Sequence, residues 1–159
     1  MHSRIYQVTR QPIEKEDFIT EADFFEHWFL GGVADYVDED TDRKSDLEWL
    51  QDRNGIEVNV DCETLTVISK EDYFRDKFFT FKECLEKLGK MTEEAFRTDE
   101  NKDYEIYKLN YKLKEAYDDK FGFYIWAEGW GLVTLDYFVR NIAEEGETFY
   151  IGATLDYHF

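Results

Sequence analysis

Residues 3–9, SRIYQVT, carry Ile5, Tyr6 and Val8 among polar positions and read as an opening strand. It stops near Pro12, which cannot donate to a ladder. Thr20 and Asp23 then form a weak capping pair, and Phe24, Phe25, Trp28 and Phe29 fall at helical spacing on one arc before Gly31 and Gly32. This predicts a helix. A short apolar stretch at Val33 to Val37 leads through DEDTDRKSD into a second helix, with Leu47 and Leu50 on one side, Trp49 off it, and Asn54-Gly55 as its stop.

Ile56, Val58 and Val60 alternate with polar residues, as do Leu65 and Val67 after the turn DCET, so residues 56–68 read as a β-hairpin. Ser69 suits an N-cap. From there Phe74, Phe78, Phe81, Leu85 and Leu88 step by four, three, four and three to Gly89, an apolar helical stripe whose default role is core packing. A short helix at 92–98 precedes a longer one over 103–117. That one has two faces: Ile106, Leu109, Leu113 and Tyr117 on one side, and Tyr104, Tyr107 and Tyr111, between lysines, nearly opposite.

FGFYIWA is apolar on both faces, as in a central strand, and EGWG makes a turn. Leu135, Phe138, Val139 and Ile142 define a helix ended by Gly146. The last segment alternates Phe149, Ile151, Ala153, Leu155 and Tyr157 against polar or small neighbours, a strand pattern. Hairpins, adjacent helices and separate strands without a βαβ rhythm predict an α+β fold. We expect a single domain over 1–159, with a mixed, mainly antiparallel sheet of about five or six strands packed with four or five helices.

Composition narrows the function classes. The 159 residues hold 37 acids against 19 bases, a net charge of −18, yet 43% are hydrophobic and 18% aromatic, too apolar for a chain kept disordered by charge. A chain this long buries roughly 70% of its unfolded surface. The charge argues against unaided binding to nucleic acid or anionic lipid, since phosphate affinity needs clustered Lys and Arg. No apolar run suits a signal peptide or a membrane span, which predicts a cytoplasmic protein. Cys62 and Cys84 have neither framework density nor CxxC spacing and read as reduced structural thiols.

Candidate chemistry is sparse. Asp38, Asp40 and Asp42 match positions one, three and five of a calcium loop, but Arg43 stands where the turn needs glycine and Trp49 where the bidentate glutamate belongs. A solvated acidic loop is the simpler reading. His2, His27 and His158 lack metal-ligand spacing, although the two chain ends are free to meet in space. No GxSxG elbow or phosphate-cradling glycine loop occurs. Catalytic, metal and cofactor residues are therefore assigned to none.

What remains is the distribution of charge. From Glu14 to Asp52 there are 14 acids and 3 bases, whereas residues 70–120 hold 14 acids and 12 bases. One reading is a solvated face that aids solubility. The sharper one is a surface that imitates a row of phosphates and docks in the basic groove of a nucleic-acid enzyme. Its candidate partner-binding residues are Asp38, Glu39, Asp40 and Asp42, with Tyr36 and Trp49 as aromatic anchors. Tyr104, Tyr107 and Tyr111 are either buried against a second layer or a further part of the interface.

The strings ADYVDEDTDR (34–43), FGFYIWAEG (121–129), TLDYFVRNI (134–142) and FYIGATLDYHF (149–159) resemble short acidic proteins carried by phages and mobile elements of Gram-positive bacteria. Some proteins of that kind inhibit CRISPR nucleases. The resemblance implies a cytosolic, non-enzymatic inhibitor of a type II effector, Cas9, bound at its guide-and-target channel or a nuclease lobe. It transfers no functional residue. The alternatives are an immunity or antitoxin-like interaction protein and an enzyme with carboxylate or metal chemistry.

Overall fold

The computed structural model describes residues 1–98 and 104–159. One seven-stranded sheet organises them. Its strands are β1 (His2–Thr9), β2 (Tyr36–Asp38), β3 (Ile56–Asn59), β4 (Thr64–Val67), β5 (Tyr124–Ala127), β6 (Gly131–Thr134) and β7 (Thr148–His158), in the order β3-β4-β7-β1-β5-β6. Among these strand pairs of the described residues, only β1–β5 is parallel. The eleven-residue β7 is the spine: β1 lies along one side, while β4 pairs residues 148–150 and β2 pairs residues 156–158 on the other. The fold is α+β, with β6 a strand beyond those the pattern predicts. The turn at Glu128–Gly131 consumes most of its sequence signal, and only four residues pair.

Both faces of the sheet are covered. Helix α1 (Arg43–Gln51), the first turn of α2 (Lys70–Gly89) and α5 (Leu135–Tyr137), which widens into a π turn over Phe138–Ile142, cover one face through Leu47, Leu50, Tyr73, Leu135, Phe138 and Val139. The helix predicted from Leu135 thus forms but opens to five-residue hydrogen bonding, with Ala143 N–H donating to the Phe138 carbonyl at 2.9 Å. Ser69 caps α2 by accepting from Asp72 N–H at 3.0 Å, as its position predicts.

The other face is covered by residues 10–35, where the predicted helix does not form. A short 3₁₀ turn at Glu21–Phe24 leads into a string of three-residue-spaced bonds: Phe25 to Ala22, His27 to Phe24, Leu30 to His27. The physical reason is burial. Phe24 and Phe29 are both fully buried against Tyr124, Leu155 and Tyr157, and a chain laid across the sheet delivers them where an α-helix standing off it would not.

The alternation of β7 does not run on one face either. Tyr6 pairs with Thr154 and Val8 with Ile151, so β7 carries one extra residue there, a β-bulge at Gly152–Ala153. The bulge reverses the phase: Phe149 and Ile151 join the first core, and Ala153, Leu155 and Tyr157 the second. Glycine at 152 leaves room for the Gln7 side chain, since a Cβ there would lie 2.5 Å from Gln7 Oε1 and 2.9 Å from its Cδ and would push the amide out of place.

Helix α2 runs well past the sheet and pairs with α4 (Glu105–Tyr117) as a hairpin, with the short α3 (Glu93–Thr98) between them. This overturns the core assignment of the α2 stripe. Phe78 and Leu85 are exposed and Phe74, Phe81 and Leu88 half-buried, because the line that meets the body and α4 runs through Tyr73 and Cys84 instead. No helix among the described residues is long and apolar enough to cross a membrane.

Candidate functional site

Of the 14 acids between Glu14 and Asp52, twelve are exposed; Asp38 is half-buried and Asp46 buried. They belong mostly to the 10–35 cover and to β2 and the loop after it. The backbone N–H of Glu21 donates to Glu39 Oε1 at 3.1 Å and ties the two acidic stretches together. Within the cover, alternate aromatics of each pair point opposite ways: Phe24 and Phe29 inward, Phe25 (71% exposed) and Trp28 (58%) outward. These two outward rings adjoin Glu21, Asp23 and Glu26 in sequence, and helical spacing does not single them out as exposed. The signal was the doubled aromatic, FF and WF, of which a single covering layer buries one member each.

The predicted acid run has defined local tasks. Asp38 Oδ1 accepts from Asp40 N–H at 2.8 Å, and Asp42 Oδ1 caps α1 by accepting from Ser45 N–H at 3.1 Å. Glu39 and Asp40 are exposed. Tyr36 is exposed on β2, its ring stacked on His158 at 5.4 Å. The chain ends do meet, with the His2 and His158 rings 5.0 Å apart, His2 on Asp156 and His158 on Asp35. His27 is elsewhere, between Trp28 and Trp126, where burial holds its pKa below the ordinary value.

The bulge in β7 holds this surface in place. Two side chains hydrogen-bond the β7 backbone at this point, Gln7 at Ala153 N–H and Arg43 at the carbonyls of Ile151 and Gly152. Gln7 Oε1 accepts from both Ala153 N–H and Ile19 N–H at 3.1 Å, while Gln7 Nε2 donates to the Asp17 carbonyl at 3.0 Å. Gln7 thereby fastens the acidic cover to the sheet. Arg43 donates to the Ile151 and Gly152 carbonyls and, through Nε, to Glu63 Oε1 at 2.7 Å, which lowers the Glu63 pKa. It fastens the start of α1 and the acid run. Between the two fastenings lies an open cleft of about 430 Å³ lined by Lys15, Phe18, Thr20, Glu39, Thr41 and Arg43.

The remaining predicted residues lie apart from this surface. Trp49 is on α1 over the first face of the sheet, edge-on to Phe123 at 4.9 Å and under the Arg4 guanidinium. Tyr104, at a left-handed backbone position, and Tyr107 and Tyr111 on α4 are exposed, so no second layer buries them. They face away from α2 on the hairpin.

A second polar constellation sits beneath α2. Buried Asp136 accepts from Tyr73 Oη at 2.9 Å, Lys77 Nζ at 3.0 Å and Asp119 N–H at 2.7 Å. Asp119 lines the same cavity of about 400 Å³ with Trp49, Arg53 and Phe121, and burial raises its carboxyl pKa. Among the described residues no group of three or more His, Cys, Asp or Glu is arranged to hold a metal ion. No family model, curated protein or solved structure matches the chain.

Proposed function

We propose that this chain is a non-enzymatic protein inhibitor whose acidic cover and acid run occupy the basic groove of a nucleic-acid-processing enzyme, a Cas9-type nuclease by the resemblance noted above. The observation that carries the reading is the exposure of twelve of fourteen acids in one 39-residue stretch, with Phe25, Trp28 and Tyr36 exposed among them. Rows of carboxylates supply complementary potential and fast encounter, and desolvated aromatic rings supply the affinity that exposed charge does not. Attachment through the Gln7 and Arg43 hydrogen bonds keeps the acidic segments from spreading, so their spacing is set before binding.

The test is competition. Titrated into a Cas9–guide complex, the protein should block target-DNA binding near a one-to-one ratio, and excess target DNA should slow its own association. Binding that leaves DNA loading untouched, or no binding at all, contradicts the proposal.

The cavity beside Asp119 supports the enzyme reading as the second candidate, because a carboxyl with a raised pKa in a cleft is a known mark of catalytic acids. The same titration separates the two. An enzyme acts far below one-to-one and loses its action on Asp119→Asn, whereas the inhibitor keeps it.

A further inference from the structure

The α2–α4 hairpin has one apolar side that, among the described residues, the body of the molecule meets only at its Phe74–Tyr117 end, where the Arg140 guanidinium lies over those two rings at 4.7 and 4.5 Å. At 100° per residue, the stripe Phe74, Phe78, Phe81, Leu85 and Leu88 centres about 90° from the buried line through Tyr73 and Cys84. On α4 the group Ile106, Leu113 and Tyr117 centres about 70° from buried Leu109 and Ala116, in the same rotational sense. The helices are antiparallel, since Phe81 meets Tyr117 near one end and Leu88 shares a shallow cavity with Ile106 near the other. Offsets of one sense on antiparallel helices bring both stripes to one side. The opposite side is the polar groove of Lys77, Glu83, Lys87, Lys112 and Glu115.

The apolar side is large. Phe78 (58%), Leu85 (43%), Phe96 (73%) and Tyr117 (57%) are its exposed members. Their open area is roughly 500 Å² before the half-buried neighbours are counted, a size that marks interaction sites and over half of the about 800 Å² per partner in a standard interface.

Charge selects the occupant. Residues 70–120 carry 14 acids and 12 bases, net −2, whereas the other 108 residues carry 23 acids and 7 bases, net −16. A basic partner is steered to the −16 part and has no electrostatic reason to choose the hairpin. A second copy meets the reverse situation: acid repels acid everywhere except here. We propose that a second copy of this chain covers this side, hairpin against hairpin about a twofold axis, so that α2 and α4 of both copies form a four-helix arrangement. The acidic surfaces stay free, and the assembly presents two of them.

Sedimentation or light scattering of the full chain at about 100 μM, diluted to about 1 μM, should give twice the 19.2 kDa chain mass at the higher concentration. Phe78→Glu with Leu85→Glu should return the mass to that of one chain with an unchanged far-ultraviolet circular dichroism spectrum. Phe79→Glu, on the other side of α2 and equally exposed, should leave the dimer intact. Hydrogen exchange of the unmutated chain keeps the proposal testable if the double variant unfolds: going from low to high concentration should add protection within 70–98 and 104–117. A single-chain mass at about 100 μM, a dimer that survives the double variant, or added protection elsewhere would each overturn the proposal.

Discussion

Replacing Gln7 with leucine isolates the fastening of the acidic cover to the sheet. The two side chains are similar in volume, so the change opens no large cavity, and its cost is that of the hydrogen bonds. Gln7 is 6% exposed and makes three: from Ile19 N–H, from Ala153 N–H and to the Asp17 carbonyl. Asp17 is exposed and its carbonyl is free to turn to water. Ile19 and Ala153 are buried, and each unpaired N–H there costs about 1–3 kcal/mol, so about 4 kcal/mol is expected in all. For a chain of this length that lowers the melting temperature by on the order of 10 °C. Urea unfolding followed by circular dichroism gives the free energy, and hydrogen exchange gives its location, with faster exchange expected across residues 17–29. A loss under about 1 kcal/mol with unchanged exchange there refutes the reasoning, because it means the cover is held by its apolar contacts alone.

Three further outcomes are expected. Asp42→Ala should cost about 1 kcal/mol through the lost α1 cap while Asp42→Asn costs little, so urea midpoints that rank the two equally contradict the capping role. The raised Asp119 carboxyl binds its proton more tightly in the folded than in the unfolded chain, so its charge costs stability above the folded pKa. Asp119→Asn should therefore be more stable than the parent at pH 7, with the advantage fading as pH falls through the raised value to the ordinary carboxylate range; a variant less stable at pH 7 contradicts this. Tyr107→Ala with Tyr111→Ala should change the unfolding free energy by no more than about 0.5 kcal/mol, as befits exposed positions, and a loss of several kcal/mol would place the rings in a core.

Local signals predicted the local structure well. The hairpin at 56–68, the Ser69 cap, the stop at Gly89 and the closing strand are all written in period, cap and turn residues that act over a few positions. What escaped depends on partners distant in sequence. The period-two alternation of 149–157 looks continuous, yet the bulge at Gly152 is set by Gln7, about 145 residues away, and it sends the two halves of the strand to opposite faces. The stripe on α2 has the period of a core helix, but period cannot say whether the facing layer exists. At the candidate site, the acids were legible as charge and Tyr36 as an exposed ring. Phe25 and Trp28 were not, since helical spacing placed them on the same arc as their buried neighbours Phe24 and Phe29. Trp49 looked like part of the same surface only because a sequence does not show which face of the sheet a helix covers, and the α4 tyrosines because it does not show that α4 packs on α2 away from the sheet.

The central claim, that the acid surface docks on a basic groove, is tested most directly by association kinetics. The variant carrying Asp38→Asn, Glu39→Gln, Asp40→Asn and Asp42→Asn keeps the oxygen acceptors used by Glu21, Asp40 and Ser45 N–H, so it should fold as the parent does. Its association rate with the Cas9–guide complex should be at least about tenfold slower than the parent's at about 50 mM salt, and the two rates should converge near about 500 mM, where the Debye length is shorter than the width of the surface. Equal rates at low salt would show that these carboxylates are merely solvated and would contradict the account.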